Sequence, residues 1–395
     1  MAANYGVNTT TSTDAARSLA IVSSTPIALV GSAVLSVADG EIYTKATNEE
    51  PLYYGSVSKA KAAFSDIAGT ILEALDGIED QNVQCPIIIK VVIITQAESL
   101  LSAELFYNNP LVKTSVIENL NSLKSVASIV GVKPKLIIAP RFSHDLDVAT
   151  EMTSVADRLL AFSIVDLNVA DESEALLKKV SFGTKRVLLR DPYVQVWDTL
   201  TSTSITQPDS ARVAGMMAWT DAQWEYGFAD SFSNRVMNGI SGTARPIEFN
   251  AGQDCEADRL RSAHIGTVIR YNGFRTWGGE TTGIDPIWQD HTRVRIFDRI
   301  SEAALDGLFW AIDRRADILK SVKDSVEQLL LALKGARVMI GYDVYWDEEL
   351  NTKTNITAGK FYLKAEAQNS PIVKRLEVNF NYSDRWGEVL IKTIS

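Results

Sequence analysis

Between residues 19 and 224, short unbroken apolar runs alternate with segments of helical character. Runs without polar interruption are typical of strands that are covered on both faces, as in a largely parallel sheet. The intervening segments place apolar residues three and four positions apart, as amphipathic helices do. The alternation therefore predicts a doubly wound α/β domain. The predicted strands lie at 19–22, 27–30, 86–94, 135–140, 161–166 and 186–191, and the predicted helices at 64–75, 115–130, 147–160 and 172–180.

The pattern changes near Asn234, after which glycine, arginine and aromatic residues are frequent through Asp290. A helical region at 292–333 is predicted to form two segments that break near Asp313. The remaining residues predict β-structure, so the second half of the chain indicates an α+β domain. Its predicted strands lie at 337–346, 360–366 and 374–382.

The two ends of the chain read as extended segments. Residues 4–13 are polar and rich in threonine, which favours extended backbone but offers little apolar surface. They are either a frayed terminus or a strand that completes a sheet on another molecule. Residues 374–382 alternate apolar and polar side chains, as a half-buried strand does. The candidate strand-exchange residues are Tyr5, Val7, Thr9, Leu376, Val378, Phe380 and Tyr382.

Charge and composition exclude several functions. The 39 basic and 49 acidic side chains give a net charge of −10, which argues against a nucleic-acid partner. Two cysteines cannot form a disulfide framework or a four-cysteine metal site, and Cys85 is expected to be a small buried apolar residue. The longest apolar stretch, 86–94, is far shorter than the ~20 residues of a membrane helix. With no signal-like segment in residues 1–12, we expect a soluble, cytoplasm-made protein without membrane insertion.

The motifs of common enzymes are missing from the sequence. It has no phosphate loop, no Gly-x-Gly-x-x-Gly after a predicted strand and no Gly-x-Ser-x-Gly. His144 follows the predicted strand that ends at Pro140, where α/β enzymes carry catalytic groups, so a small-molecule binder or an enzyme at His144 stays as the alternative. Neither His264 nor His291 has a second histidine at metal-binding spacing. The sequence therefore predicts no catalytic, cofactor-binding or metal-ligating residue.

Six segments, mostly in the second half of the chain, carry a family resemblance. Each is modest alone, but they follow one another in one order. Through them the chain resembles the sheath proteins of contractile tails, as in P2-type bacteriophages, R-type pyocins and related contractile injection systems. The N-terminal half resembles that family in layout more than in wording. The segments are GTKRVLLRDP (183–192), VQVWD (194–198), AGMMAWTD (214–221), GTARP (242–246), IRYNGFRTWG (269–278) and HTRVR (291–295).

The resemblance implies a structural role and no enzymatic activity. Sheath subunits stack as hexameric rings around a rigid inner tube, and their N- and C-terminal extensions add strands to sheets in neighbouring subunits. On triggering, the sheath shortens and widens and drives the tube through a target cell envelope. The implied partners are further copies of the chain, the inner tube protein, and baseplate and tail terminator proteins. The implied location is the tail of a virion or injection particle that is assembled in the cytoplasm of the producing bacterium.

The resemblance and the change of pattern near Asn234 divide the chain into four predicted parts. These are an N-terminal extended arm at 1–20, an outer α/β domain at 21–232, an inner α+β domain at 233–370, and a C-terminal strand and arm at 371–395. A second structural alternative is the tube itself. Tube proteins are much shorter and mostly β, so the long α/β half argues against it.

A basic stripe is predicted on the helix that follows Asp317. At 3.6 residues per turn its members project within about 100° of one another, although Glu327 lies among them. The stripe is either an ordinary solvated helix face or, as the resemblance suggests, a surface that touches an acidic tube through weak charge pairs. Its members are Lys320, Lys323, Lys334 and Arg337, and the neighbouring face predicted to be core carries Val322, Val326, Leu329 and Leu333.

Overall fold

The computed structural model describes residues 19–94, 106–199 and 201–386. The strands in these residues are β1 (Ile27–Val34), β2 (Leu52–Tyr54), β3 (Ile87–Ile94), β4 (Leu136–Ile138), β5 (Phe162–Asp166), β6 (Val187–Arg190), β7 (Val194–Asp198), β8 (Thr203–Gln207), β9 (Gly242–Thr243), β10 (Ile265–Arg270), β11 (Phe274–Trp277), β12 (Met339–Trp346) and β13 (Leu363–Asn369). The α-helices are α1 (Glu41–Thr47), α2 (Val57–Phe64), α3 (Thr70–Glu79), α4 (Pro110–Ser122), α5 (Val126–Val130), α6 (Leu146–Leu159), α7 (Glu172–Lys179), α8 (Ser210–Asp221), α9 (Glu256–Ser262), α10 (His291–Leu308), α11 (Leu319–Gly335) and α12 (Lys353–Thr357).

The largest element is an eight-stranded sheet in the order β11-β10-β6-β5-β4-β1-β3-β2. Neighbouring strands from β3 through β10 pair in parallel, whereas β2 and β11 pair antiparallel at the two edges. Strand β1 lies between β3 and β4, so the direction in which the chain builds the sheet reverses beside it. This reversal is the mark of a doubly wound sheet. The mixed α/β character that the alternating runs predict is therefore observed.

Helices cover both faces of this sheet. Along β1, Ile27 and Leu29 enter one apolar cluster, which includes residues of α2, α3 and α8. The intervening Ala28 and Val30 enter a second cluster, which includes residues of α4 and α6. Successive side chains of a strand point to opposite faces, so a strand without polar interruption supplies both clusters. This is why the central strands read as continuous apolar runs.

One predicted helix, at 64–75, is wrong: the structure has two helices, α2 and α3, with a break between Phe64 and Thr70. The break contains Gly69 at φ 145°, a backbone conformation that side-chain-bearing residues rarely adopt. A Cβ at Gly69 would lie 2.2 Å from the carbonyl oxygen of Ser32, on the neighbouring strand β1. The chain therefore passes too close to the sheet for any other residue, and the helix cannot continue through this point.

Three predicted strands also differ from the structure. Residues 19–22 form no strand, because Leu19 packs into the core beside α10 and α11 instead. The strand expected at 360–366 is β13, three residues later. Residues 374–382 form no strand within the described chain. By contrast, the predicted helices at 147–160 and 172–180 match α6 and α7, and the helical region after 292 breaks at Asp313, whose φ is 61°.

The large sheet crosses the boundary that the sequence places between residues 232 and 233. Strand β10 pairs with β6, through Ile265 opposite Leu189 and Gly266 opposite Arg190, and β11 then pairs with β10. Strands β10 and β11, within residues 265–277, therefore belong to the eight-stranded sheet. The reason is that β6 would otherwise leave a buried apolar edge with unpaired backbone groups.

The rest of the C-terminal half packs beside the sheet as a smaller α+β unit. Helix α11 carries Val326, Leu329 and Leu333 into a cluster that also contains Val338, Met339 and Val344 of the following chain. Strands β12 and β13 pair antiparallel as a two-stranded sheet. The C-terminal segment of the described chain follows directly after this α+β unit.

Candidate assembly surfaces

The C-terminal segment after β13 is extended and exposed. The side chains of the predicted strand, Leu376, Val378, Phe380 and Tyr382, are 80%, 62%, 90% and 93% exposed. An alternating segment normally buries its apolar face, because exposing large apolar side chains to water is unfavourable. Nothing in the described part of the chain covers this face. The segment is thus suited to completing a sheet elsewhere, as the sequence predicts.

The root of this segment, in contrast, is fixed. Asn369 is 4% exposed, and its side-chain oxygen accepts a hydrogen bond from Nε of Arg293 at 3.0 Å. The backbone N–H of Ser370 donates to the carbonyl of Val338 at 2.8 Å. Four residues later, Nζ of Lys374 lies 3.1 Å from Oε1 of Glu280. The exposed segment therefore leaves the fold from a defined position.

The surroundings of Glu280 keep its carboxyl ionised, which favours the ion pair with Lys374. Burial alone would raise the pKa of its carboxyl, but Arg261, the Gly279 N–H and Lys374 together lower that pKa to about 2. Oε1 of Glu280 also lies 3.1 Å from a guanidinium nitrogen of Arg261. The carboxylate is thus ionised at neutral pH and holds Lys374 against the body.

The two-stranded sheet offers edges to which a strand could add. Within the described residues, β12 and β13 pair only with each other. Unpaired edges expose backbone donors and acceptors, and a further strand can use them for β-augmentation. This sheet immediately precedes the exposed C-terminal segment, so edge and strand lie in the same region of the molecule.

The N-terminal candidates Tyr5, Val7 and Thr9 lie outside the described residues. The chain just after them is held firmly. Leu19 is 7% exposed, and the Thr25 hydroxyl donates to Asp221.

The predicted basic stripe is exposed for most of its length. Lys320, Lys334 and Arg337 are exposed, whereas Lys323 is half-buried and pairs with Glu327, 3.4 Å away. Nζ of Lys334 also lies 5.9 Å from the ring centroid of Tyr342. The predicted core face is confirmed for Val326, Leu329 and Leu333, which are buried, while Val322 is half-buried. Three of these residues lie on α11, whereas Arg337 follows the end of the helix at Gly335 and has a φ of 63°.

His144 lies beside a cavity of about 560 Å³ that is also lined by Tyr107, Arg141 and Tyr193. The neighbouring Asp145 does not activate the imidazole. Its carboxylate caps helix α6, accepting hydrogen bonds from the backbone N–H groups of Asp147 and Val148, and it pairs with Lys113. Burial lowers the pKa of His144, so the ring is neutral at pH 7. A capping carboxylate and a neutral histidine are common structural features.

The described residues contain neither a metal site nor a membrane-spanning helix. Across 19–94, 106–199 and 201–386, no three His, Cys, Asp or Glu side chains are grouped to hold a metal ion. None of the helices in these ranges is long and apolar enough to cross a membrane. Cys85, 5% exposed, is part of an apolar cluster as predicted, and burial raises the pKa of its thiol to about 12.

One buried feature was missed at the sequence level, namely a row of ion pairs along α10. Arg295, Asp298, Arg299 and Glu302 lie on one face of the helix, at spacings of three and four residues. All four pair with residues near the large sheet: Arg295 and Arg299 with Asp221, Asp298 with Arg186, and Glu302 with Lys135. Charges at this spacing usually mark a solvated face, so the sequence alone gives no sign that these four are largely buried.

Comparisons with known proteins agree with this architecture. Residues 115–282 match the family described as phage tail sheath protein central domain. A prophage major tail sheath protein of Pseudomonas aeruginosa is 37% identical over 270 residues, which cover 68% of this chain and 69% of that protein. The tail sheath protein of Escherichia phage P2 is 24% identical over 384 residues, which cover 95% of each chain.

Two solved assemblies share the fold over almost the whole chain. The helical sheath of the anti-feeding prophage, in its contracted state, has a TM-score of 0.69 at 18% identity and covers 97% of this chain and 100% of that chain. The contracted sheath complex of the extracellular contractile injection system PVC has a TM-score of 0.68 at 13% identity and covers 98% and 99%.

These matches define a class of structural proteins, the sheath subunits of contractile tails. The chain belongs to the tail sheath protein family. The family is not an enzyme class, and the comparisons give no support to the alternative of an enzyme or small-molecule binder at His144.

Proposed function

We propose that the chain polymerises as stacked hexameric rings around an inner tube and contracts to drive that tube through a cell envelope. The observation that carries the proposal is the exposed C-terminal segment, whose four alternating apolar side chains are 62–93% exposed beside a sheet with unpaired edges. Each backbone hydrogen bond of an added strand contributes about 0.5–1.5 kcal/mol net, so a strand of several residues holds a neighbour with a few kcal/mol.

The partners follow from this assembly. They are further copies of the chain, the inner tube protein, and the baseplate and tail terminator proteins at the two ends of the sheath. The outer part of the polymer is formed by the α/β sheet and its helices. The inner part is formed by α10, α11 and the β12–β13 sheet, and residues 1–20 and 371–395 serve as the strand-exchange arms. Assembly takes place in the cytoplasm of the producing bacterium.

Expression of the full-length chain, with and without its tube protein, tests this function. Negative-stain microscopy should show rings or long hollow tubes, and light scattering should show particles far larger than a 43.4 kDa subunit. A well-folded monomer at high concentration, with or without the tube, would contradict the proposal.

The basic stripe of α11 is proposed as the surface that faces the tube. Its charges are exposed or half-buried, so each contact is worth roughly 0–1 kcal/mol and can be released during contraction. Replacing Lys320 and Lys323 with glutamate should prevent assembly around the tube and leave tube-free polymerisation intact. The matched control reverses two charges on the α/β body, Lys45→Glu with Lys59→Glu, and should assemble normally. Unchanged co-assembly of the stripe variant would reject the contact.

A further inference from the structure

A cavity of about 420 Å³ opens between helix α8 and the segment that runs along β11. This segment follows β11 antiparallel: the backbone N–H of Asn234 donates to the carbonyl of Thr276 at 2.6 Å, and that of Met237 to the carbonyl of Phe274 at 2.9 Å. The volume lies within the range of about 300–1,000 Å³ that is usual for binding pockets. We call this cavity the arginine pocket, and its walls include Trp219, Arg235, Val236 and Arg275.

The two arginines of this pocket carry guanidinium groups without a carboxylate partner. Arg235 donates Nε to the carbonyl of Ser231 at 2.9 Å. Arg275 donates Nε and one terminal nitrogen to the backbone carbonyls of Tyr271 and Asn234, each at 2.9 Å. Within the described chain the other terminal N–H groups of both arginines have no acceptor, and no acidic side chain lines the pocket. Both side chains are half-buried, so these N–H groups are free to bind a ligand from outside.

The pocket fits a carboxylate that lies beside an apolar group. Arg141, which is also half-buried, pairs with Glu73 through two hydrogen bonds of 2.9 and 2.8 Å. Such a fork of parallel N–H groups makes a guanidinium selective for carboxylates. Beside the guanidiniums, Val236 is 47% exposed, and the ring centroid of Trp219 lies 5.3 Å from Cζ of Arg235. An apolar side chain that covers this wall excludes water and strengthens the charge pairs next to it.

The turn after β12, residues 347–350 and here called the acidic turn, has the complementary chemistry. Glu348 and Glu349 are exposed, and neither pairs with a basic side chain of the described chain. The next residue, Leu350, is 48% exposed. Its backbone N–H donates to the carboxylate of Asp347 at 2.9 Å, which fixes the turn. The acidic turn thus presents two carboxylates and an apolar side chain in a defined arrangement.

We infer that the arginine pocket of one subunit binds the acidic turn of a second copy, with the glutamates on the two arginines and Leu350 against Val236 and Trp219. The turn does not line the pocket of its own chain, so the site is complete only when a second chain supplies it. Copies with a net charge of −10 repel one another, and a local pairing of opposite charges offsets this repulsion. The inference rests on the proposed polymerisation and deepens it by naming one contact between subunits.

Charge reversal on the turn tests this contact without changing the pocket. Glu348→Arg with Glu349→Arg alters two exposed side chains, so the subunit should fold as the wild type does. Polymerisation, measured by sedimentation, should need at least about ten times more protein, because like charges then face each other across the interface. The matched control reverses two other exposed carboxylates, Asp66→Arg with Glu118→Arg, and should polymerise at the wild-type concentration. No effect of the turn variant, or an equal effect of the control, overturns the inference.

A crosslink between subunits reports the contact directly. Val236→Cys with Leu350→Cys keeps the arginines and glutamates of the site in place. The native Cys85 and Cys255 are buried, so they do not compete for oxidation. Under mild oxidation the assembled variant should give a ladder of covalent oligomers on a non-reducing gel, whereas each single variant should give no ladder. Absence of the ladder from both the extended and the contracted sheath overturns the inference.

The outcomes separate this contact from the proposed function. If the wild type polymerises, the turn variant does so equally well and no ladder forms, the contact is wrong and the sheath function stands. If the wild type itself stays monomeric, the sheath function fails, and the contact fails with it.

Discussion

At the scale of single residues, the buried ion pairs of α10 contribute more to the stability of the fold than the better solvated pair of Lys323 and Glu327 on α11. Arg186 is 3% exposed, and the side chain of Asp298 is 13% exposed. The half-buried pair of Lys323 and Glu327, whose side chains are 32% and 40% exposed, is better solvated and therefore contributes less to stability. Removing one member of a buried pair leaves an uncompensated charge, whereas an exposed charge is still solvated by water.

Asp298→Ala should therefore lower the free energy of unfolding by about 3 kcal/mol, because Arg186 keeps only a long contact with the exposed Asp157. The matched control Glu327→Ala should change it by no more than about 1 kcal/mol. Urea unfolding of the free subunit, followed by circular dichroism, measures both values. Equal effects of the two variants would show that the α10 pair is not a buried attachment.

The lowered pKa of Glu280 predicts that the stability of the fold depends on pH. Its folded-state pKa of about 2 lies below the ordinary value of 4.5, so the folded state favours the ionised form. The resulting stability is fully present above pH 4.5 and is lost as the pH falls towards 2. At about 1.4 kcal/mol per pKa unit, the loss is of the order of 3 kcal/mol. Stability measured between pH 5 and 2 should fall less steeply for Glu280→Gln than for the wild type; parallel slopes would refute the assignment.

At the scale of elements, the exposed C-terminal segment separates folding from assembly. The variant Phe380→Ser with Tyr382→Ser changes two side chains that are 90% and 93% exposed. It should unfold within about 0.5 kcal/mol of the wild type, as surface substitutions usually do. In the polymer these side chains would be buried, so sheath formation should be lost or strongly reduced. If sedimentation showed that this variant polymerises as well as the wild type, the segment would be excluded as a strand-exchange arm.

The elements that sequence alone predicts well are those whose pattern depends on local burial. Strand β3 and helix α6 were predicted within one residue of their observed bounds, because each has an uninterrupted core-facing pattern. The helix break at Gly69 was missed, since it depends on contact with Ser32, far away in sequence. The strand pattern after residue 374 finds no partner in its own chain, and no local signal distinguishes such a strand from an internal one.

The assembly surfaces, too, can be predicted from sequence only where they depend on a local pattern. The stripe on α11 could be located from its helical period, because the burial of Leu329 and Leu333 fixes which face points outward. The contact between Leu19 and Gly307 of α10 could not, since a glycine within a helix carries no sign of the residue that packs against it. The sequence shows that α10 carries a charged face, but it does not show that this face is buried.

At the scale of the whole molecule, several contacts cross the point at which the composition of the chain changes. Arg190, 1% exposed, donates a 3.0 Å hydrogen bond to the carbonyl of Thr267, and the buried Asp191 pairs with Arg245. Both contacts cross the boundary expected after residue 232, as do the strand pair β6–β10 and the α10 ion pairs. We therefore expect the α/β body and α10 to unfold as one cooperative unit.

A fragment of residues 1–232 should consequently fail to fold cooperatively. It loses β10, one of the two partners of β6, and leaves Asp191 and Arg186 without their cross-boundary partners, each a buried charge that costs several kcal/mol. The matched fragment 1–308 keeps the complete eight-stranded sheet together with α10. In urea, followed by tryptophan fluorescence, the longer fragment should show one steep transition and the shorter one a shallow, continuous change. A steep transition of 1–232 at the same midpoint would mean that the body is complete without β10, β11 and α10.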